Sequence, residues 1–111
     1  MMLLDSVNSA PDVKDSLTTV AVRRGTRAEL PCVASAFPLP RYSWTKDETA
    51  VGADGGRFQQ LDGNLVIDGA TVADGGEYLC TAENSLGRKS IIVKLIVTGQ
   101  QTSDFVIRTY L

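Results

Sequence analysis

The residues of this chain that could carry out chemistry are its carboxylates and its two cysteines. The 111 residues include 13 Asp and Glu, two Cys and no His. Without histidine, Ser-His-Asp and Cys-His catalysis and histidine-ligated zinc are excluded. Cys32 and Cys80 are too few for a four-cysteine zinc site, so they form either one disulfide or two free thiols.

Several carboxylates lie beside glycines, where turn formation explains them. Asp54, Asp62, Asp68 and Asp74 are of this kind, and aspartate next to glycine is typical of turns. A calcium loop needs several oxygen ligands at patterned spacing, whereas VGADGGRF and TVADGG offer one carboxylate each. The sequence also has no phosphate-binding loop, nucleophile elbow or dinucleotide fingerprint. We therefore expect no enzymatic activity, no metal site and no cofactor.

The charge balance favours neither nucleic acid nor an acidic membrane as a partner. With 11 basic residues, the formal net charge is -2. Segment 22–27 (VRRGTR) holds three arginines, and Arg88 and Lys89 lie next to each other farther along. Such clusters could bind heparan sulfate, but the nearby Glu29 and the negative net charge favour a solvated turn.

Short runs of β-branched or alternating residues, separated by Gly, Pro and Asp, predict an all-β sandwich or barrel. The predicted strands lie near Val13 and at Thr18–Val22, Arg27–Ala34, Pro40–Lys46, Arg57–Gln60, Asn64–Asp68, Gly76–Glu83 and Arg88–Thr98.

Alternation within these strands separates a core face from an outer face. If Tyr78 and Cys80 point inward on one strand, Leu79 points outward there. If Val93 and Leu95 point inward on the next strand, Ile92 and Ile96 point outward. An exposed apolar patch often marks a partner surface, although single surface hydrophobics are also ordinary. We therefore take Leu79, Ile92 and Ile96 as one candidate interaction surface.

The outer face of the opposite sheet is a second candidate interaction surface. Its predicted members are Thr18, Arg27, Glu29, Val33, Val66 and Asp68.

At residues 11–98 the sequence resembles the intermediate set (I-set) of the immunoglobulin superfamily. The matching residues are Gly25, Leu30, Cys32, Pro38-x-Pro40, Trp44, Leu65-x-Ile67, Asp74-x-Gly76-x-Tyr78-x-Cys80 and Ala82-x-Asn84-x-x-Gly87. The resemblance implies an immunoglobulin-like β-sandwich of two antiparallel sheets with Greek-key connections.

The resemblance also implies roles for individual residues. Cys32 and Cys80 would form a disulfide between the sheets. Trp44, Tyr78 and Leu65 would pack in the core, and Arg57 would pair with Asp74. The sequence departs from the family pattern at Pro31, which removes a donor from the strand ladder beside Cys32 and implies a bulge or an unpaired edge.

A narrower resemblance is to domains of the Down syndrome cell adhesion molecule (Dscam) family. It is carried by AVGADGGRFQQLDGNLVI and DGGEYLCTAENSLG, and the tail SDFVIR resembles the opening strand of a following domain. This implies an extracellular module of a membrane-anchored adhesion receptor, in neural cell recognition, that binds another copy of itself.

We expect the domain to span residues 11–98. Residues 1–10 would be an N-terminal extension or linker, and residues 99–111 a linker with the start of a further domain or a tail left by cloning. Two other functions use the same fold: an intracellular structural module of the muscle-filament type, and a ligand-binding domain of a guidance or growth-factor receptor.

Overall fold

A computed structural model of the chain describes residues 8–13, 17–53 and 56–99. The predictions for residues 1–7, Asp54 and residues 100–111 lie outside these ranges. The strands are β1 Ser9–Asp12, β2 Leu17–Arg23, β3 Ala28–Leu30, β4 Ser35–Phe37, β5 Arg41–Lys46, β6 Thr49–Val51, β7 Phe58–Leu61, β8 Asn64–Ile67, β9 Gly76–Asn84 and β10 Gly87–Thr98. One turn of 3-10 helix, Val72–Asp74, precedes β9.

The strands form two main sheets and a small third one, which confirms the predicted all-β architecture. One sheet has the order β2-β10-β9-β5-β6, another β3-β8-β7, and β1 pairs with β4. One strand pair departs from the antiparallel pairing that we predicted: β2 runs parallel to β10, from Leu17 opposite Ile92 to Arg23 opposite Thr98. Because these two strands are distant in sequence, no tight turn forces them to run antiparallel.

The core lies between the five-stranded and the three-stranded sheet. Trp44, Tyr78 and Leu65 are each at most 1% exposed, as predicted. The predicted disulfide between Cys32 and Cys80 is present, and Trp44 lies directly opposite Cys80 on the neighbouring strand. Burying the indole leaves its N–H in need of an acceptor, which is the carbonyl of Gly63 at 2.8 Å.

Strand β3 ends at Leu30, earlier than the predicted Ala34, because Pro31 has no N–H for the ladder. The backbone N–H of Cys32 instead donates to Oδ1 of Asn64 at 3.0 Å. The Asn64 amide in turn donates to Glu29 at 3.0 Å. A side chain from β8 therefore supplies the acceptor that a neighbouring strand would otherwise provide.

Two short strands were not predicted, and the first strand begins earlier than predicted. β4 and β6 have three residues each, too few for alternation to show a period of two. β1 starts at Ser9, so two residues that we assigned to the N-terminal extension belong to a strand.

The predicted ion pair between Arg57 and Asp74 is present at the end of β8. The guanidinium donates to both carboxylate oxygens, at 3.0 and 3.1 Å, and to the carbonyls of Asp68 and Gly69. The hydroxyl of Tyr78 donates to the carbonyl of Asp74 at 2.6 Å. This network ties the start of β9 to the three-stranded sheet.

The electrostatics of this network favour the charged form of Asp74. Burial alone would raise the pKa of the carboxyl, but hydrogen bonds from Arg57 and from the N–H of Thr71 outweigh it and lower the pKa. Burial of the phenol raises the pKa of Tyr78 to about 12. The network therefore holds one ionised carboxylate and one neutral phenol at neutral pH.

Candidate protein-binding surface

An apolar pair lies on the outer face of the five-stranded sheet. Leu79 on β9 is 39% exposed and Ile92 on β10 is 37% exposed. The two residues are direct partners in the antiparallel register, so their side chains stand side by side, about 5 Å apart at Cβ. Both point outward because Tyr78, Cys80 and Val93, their neighbours along the strands, are buried.

Ile96, the third member of the predicted patch, is separated from this pair. It is 40% exposed, but Lys94 lies between Ile92 and Ile96 on the same face of β10. Its strand partner in the sheet is Ala21 of β2. The prediction of one continuous patch was therefore wrong at this residue, because period-two alternation places a charge between the two isoleucines.

Matched charges lie on both sides of the apolar pair. Glu77 is opposite Lys94 on one side, and Glu83 is opposite Arg88 on the other, with an ion pair of 3.3 Å between the latter two. The hydroxyls of Thr81 and Ser90, 2.8 Å apart, fill the row between the apolar pair and Glu83–Arg88. We call the surface formed by Glu77, Leu79, Thr81, Glu83, Arg88, Ser90, Ile92 and Lys94 the β9–β10 face.

Sequence reasoning missed the charged members of this face as site residues. The alternation that predicts Leu79 and Ile92 to point outward applies equally to Glu77, Glu83 and Lys94, but it does not give the pairing between strands. The two-residue turn between Asn84 and Gly87 fixes that pairing, since it sets Gly87 opposite Asn84 and every later pair follows.

The second predicted surface lies on the three-stranded sheet, and its prediction is wrong at Val66. This residue is only 3% exposed. It lies on the middle strand, opposite Glu29 on one side and Gln59 on the other. Side chains on one face of adjacent strands contact each other, so these longer polar neighbours cover the valine.

Two other members of that predicted surface lie elsewhere. Thr18 is half-buried on β2, which belongs to the five-stranded sheet, and it pairs with the buried Val93. Val33 is 72% exposed, but it follows the end of β3 at Leu30 and lies outside any strand.

The remaining members are exposed and charged. Glu29 is on β3, Arg27 immediately precedes that strand, and Asp68 immediately follows β8. The outer face of the three-stranded sheet is thus polar at these positions, unlike the β9–β10 face.

A cleft of about 300 Å³ is lined by Val13, Pro31, Val33 and Ile91, with Asp12 as its single carboxylate. Within residues 8–13, 17–53 and 56–99, no three His, Cys, Asp or Glu side chains come together as metal ligands. Over the same ranges there is no helix with the length and apolar character needed to span a bilayer.

Comparison with known proteins gives a consistent relationship. Residues 11–97 match the immunoglobulin I-set domain. The chain is 36% identical over 97 residues to the cell adhesion molecule DSCAM of Gallus gallus, covering 87% of this chain and 5% of that protein. It is 37% identical over 84 residues to hemicentin-2 of Mus musculus, covering 76% of this chain and 2% of that protein.

Solved structures agree with the sequence relationship. The crystal structure of the N-terminal four Ig domains of Dscam1 isoform 4.44 superimposes with a TM-score of 0.75 and 32% identity, over 84% of this chain and 26% of that one. The predicted resemblance to Dscam domains is confirmed, and the chain corresponds to a small part of the length of these relatives.

Proposed function

The chain belongs to the immunoglobulin I-set family, and from this membership we propose that it is an extracellular adhesion-receptor module that binds a second copy of itself. Its relatives include proteins named as cell adhesion molecules, with which it shares 35 to 36% of residues. Fold alone does not assign function, so the proposal depends on the surface.

The observation that carries the proposal is the β9–β10 face. Leu79 and Ile92 form an exposed apolar pair, with Glu77–Lys94 in the next row on one side along the strands and Thr81–Ser90 and Glu83–Arg88 in the rows on the other side. An apolar centre with a polar rim is the usual anatomy of a protein–protein interface. On the three-stranded sheet, Glu29 and Gln59 cover Val66 on the middle strand, and the exposed Leu61 lies at the end of the edge strand β7.

The buried disulfide supports an extracellular location. Disulfides persist in oxidising compartments and are rare in the cytosol, where thiols are kept reduced. Intact mass of freshly isolated native protein, with and without alkylation, tests this point. A closed Cys32–Cys80 pair fits the extracellular module, whereas two alkylated thiols would support the intracellular muscle-filament alternative.

Self-binding is tested on the 111-residue chain displayed at high density on beads, because multivalent display reveals weak association that dilute monomers miss. We expect the beads to aggregate and Leu79→Arg to abolish aggregation. Gln59→Arg adds the same charge on the outer face of the other sheet and should leave aggregation unchanged. Val66→Arg is unsuitable because it would place a charge in a buried position.

Failure of the wild-type beads to aggregate would overturn the self-binding proposal. That result would favour the alternative function, a ligand-binding domain of a guidance or growth-factor receptor. Equal loss with Gln59→Arg and Leu79→Arg would show that the β9–β10 face is not the binding surface.

A further inference from the structure

The segment that joins β2 to β3 carries three arginines within five residues: Arg23, Arg24 and Arg27. We propose that this segment, residues 23–27, binds a linear sulfated polysaccharide. The inference rests on the extracellular location in the proposed function, but it concerns a different surface from the β9–β10 face. We call residues 23–27 the arginine turn.

The backbone of the arginine turn is fixed by hydrogen bonds to two other parts of the chain. The N–H of Arg24 donates to the carbonyl of Thr98 at the end of β10, at 2.7 Å. The N–H of Gly25 donates to the carbonyl of Ala70 at 2.7 Å, and the N–H of Ala70 donates to the carbonyl of Thr26 at 2.8 Å. Because the backbone is already ordered, a ligand that binds here loses little affinity to ordering of the turn.

Arg23 and Arg27 have guanidinium groups that are available to a ligand. Both residues are exposed, and across the ranges that the structure describes their side chains take part in no hydrogen bond or ion pair. A guanidinium is always charged near neutral pH and carries five N–H donors for the oxygens of an anion. The two groups are therefore suited to bind an anionic ligand.

Glu29, the acidic residue that favoured a solvated turn, is held away from the arginine turn. Its carboxylate accepts a hydrogen bond from the amide of Asn64 at 3.0 Å. Asn64 begins β8, whereas the arginine turn adjoins the end of β8, because Ala28 at the start of β3 pairs with Ile67. The Glu29 side chain thus extends toward the opposite end of this strand pair.

Among the described residues, one other carboxylate lies directly beside the arginine turn. Asp68 immediately follows β8, and it leaves the three arginines a surplus of positive charge. Asp47 and Glu48 lie beyond β5, three strand spacings or ~14 Å from β2, where salt screens charges beyond ~8 Å. The remaining acidic residues at this end of the sandwich each have a basic neighbour: Asp74 has Arg57 and Glu77 has Lys94.

The positions of Arg23 and Arg27 require an extended ligand. Arg23 ends β2 in the five-stranded sheet, and Arg27 precedes β3 in the three-stranded sheet. Both point away from the core, because their neighbours Val22 and Ala28 pack into it. The sheets lie ~10 Å apart, so one sulfate ion cannot contact both guanidinium groups. A chain of linked anionic sugars can contact them in succession as it crosses the turn.

Binding of the 111-residue chain to immobilised heparin tests the proposal, with surface plasmon resonance as the measurement. The affinity should fall steeply with rising salt, because binding releases counterions from the polyanion. Combining Arg23→Gln with Arg27→Gln should weaken binding at least about tenfold. The matched control combines Arg41→Gln with Arg88→Gln, the same charge change at the other end of the sandwich, and should bind as the wild type does.

Asp68→Asn provides a variant whose expected effect cannot arise from misfolding. It removes the carboxylate beside the turn but keeps the backbone carbonyl that Arg57 contacts, so heparin affinity should rise about threefold. An unchanged affinity would place the ligand elsewhere. Absence of heparin binding in the wild type, or equal losses in the two arginine double variants, would overturn the proposal.

Duplex DNA tests the assignment to a polysaccharide. DNA is stiff over ~150 base pairs, so it cannot bend across the edge from one sheet to the other and should bind at least about tenfold more weakly than heparin at the same salt. Equal binding would show that the turn selects charge alone and would overturn the assignment. Thiol alkylation tests the extracellular location separately, so failure of that proposal is distinguishable from failure of heparin binding.

Discussion

Two side-chain networks at the two ends of β8 support the sandwich, and they differ in charge. At the end of β8, Arg57 and Asp74 form an ion pair that also binds backbone carbonyls and the N–H of Thr71. At the start of β8, next to Gly63, the neutral amide of Asn64 accepts the N–H of Cys32 and itself donates to the exposed Glu29; we call this network neutral after the group that accepts the backbone N–H. Both networks satisfy backbone groups that no strand ladder reaches.

The comparison shows two ways to satisfy unpaired backbone groups at the end of a sheet. The charged network gains strength from ionic hydrogen bonds but depends on the protonation state of Asp74. The neutral network is independent of that protonation state, but it depends on a close backbone approach at Gly63. We therefore expect substitutions and acid to change stability differently at the two ends of β8, and four measurements test this expectation.

The largest effect is expected from Asp74→Ala. The substitution leaves the N–H of Thr71 and the guanidinium of Arg57 without their carboxylate partner, and we expect a loss of about 3 kcal/mol in the free energy of unfolding. Chemical denaturation measures it. Asp68→Ala is the control because the Asp68 contact with Arg57 uses the backbone carbonyl, which the substitution keeps. Equal losses in both variants would contradict the assigned role of Asp74.

Gly63→Ala, at the start of β8, should lower the free energy of unfolding by about 2 kcal/mol. A Cβ there would lie 2.9 Å from the carbonyl oxygen of Cys32 and 3.0 Å from the ring of Tyr42, at a φ of +93°. Gly25→Ala is a matched control, since Gly25 has a φ of +87° and nothing within 4 Å of an added Cβ. The difference between the two variants isolates the steric term; no difference would mean that backbone strain alone acts.

Asn64→Ala should cost about 1.5 kcal/mol, because it leaves the N–H of Cys32 without its acceptor. The comparison is Gln60→Ala, whose side chain donates to the carbonyl of Tyr42 at an exposed position where water can replace it. Denaturant titrations of both variants should show the larger loss for Asn64. A smaller loss for Asn64 would mean that water or a local shift satisfies Cys32.

The smallest effect is expected from acid. The pKa of Asp74 is lower in the folded state than its ordinary value of 3.8, so its contribution is present above that value and is lost as the pH falls through the folded pKa. Stability of the wild type should therefore fall below about pH 4 more steeply than that of Asp74→Asn. The stability of Asn64→Ala should depend on acid pH as that of the wild type does. If this dependence disappeared in Asn64→Ala, the two ends of β8 would be energetically coupled.

Much of the scaffold could be predicted from the sequence because side-chain direction in a strand is a local property. The family motif placed Trp44 and Tyr78 in the core and Asp74 against Arg57, and alternation then placed Leu79 on the outer face. The interruption after Leu30 also followed from Pro31. The hydrogen bond from the N–H of Cys32 to the side chain of Asn64 could not be predicted, because it requires knowing which strand lies beside Cys32.

The candidate surface could be predicted only in part. Leu79 and Ile92 were identified as outward residues from alternation, and their exposure agrees. Val66 was assigned to the outer face by the same reasoning, yet Glu29 and Gln59 from two neighbouring strands cover it. Exposure depends on neighbours contributed by distant parts of the chain, which a period of two does not reveal.

The sequence by itself determined the β-sandwich, the cysteine pair, the core residues and the alternation of faces, because these depend on residue type and spacing along one strand. The tertiary structure decided that β2 runs parallel to β10 and that Thr18 points toward the core side. It also decided that acidic and basic residues line opposite strands of the β9–β10 face. These features depend on register between strands, which turns and packing of the whole chain set.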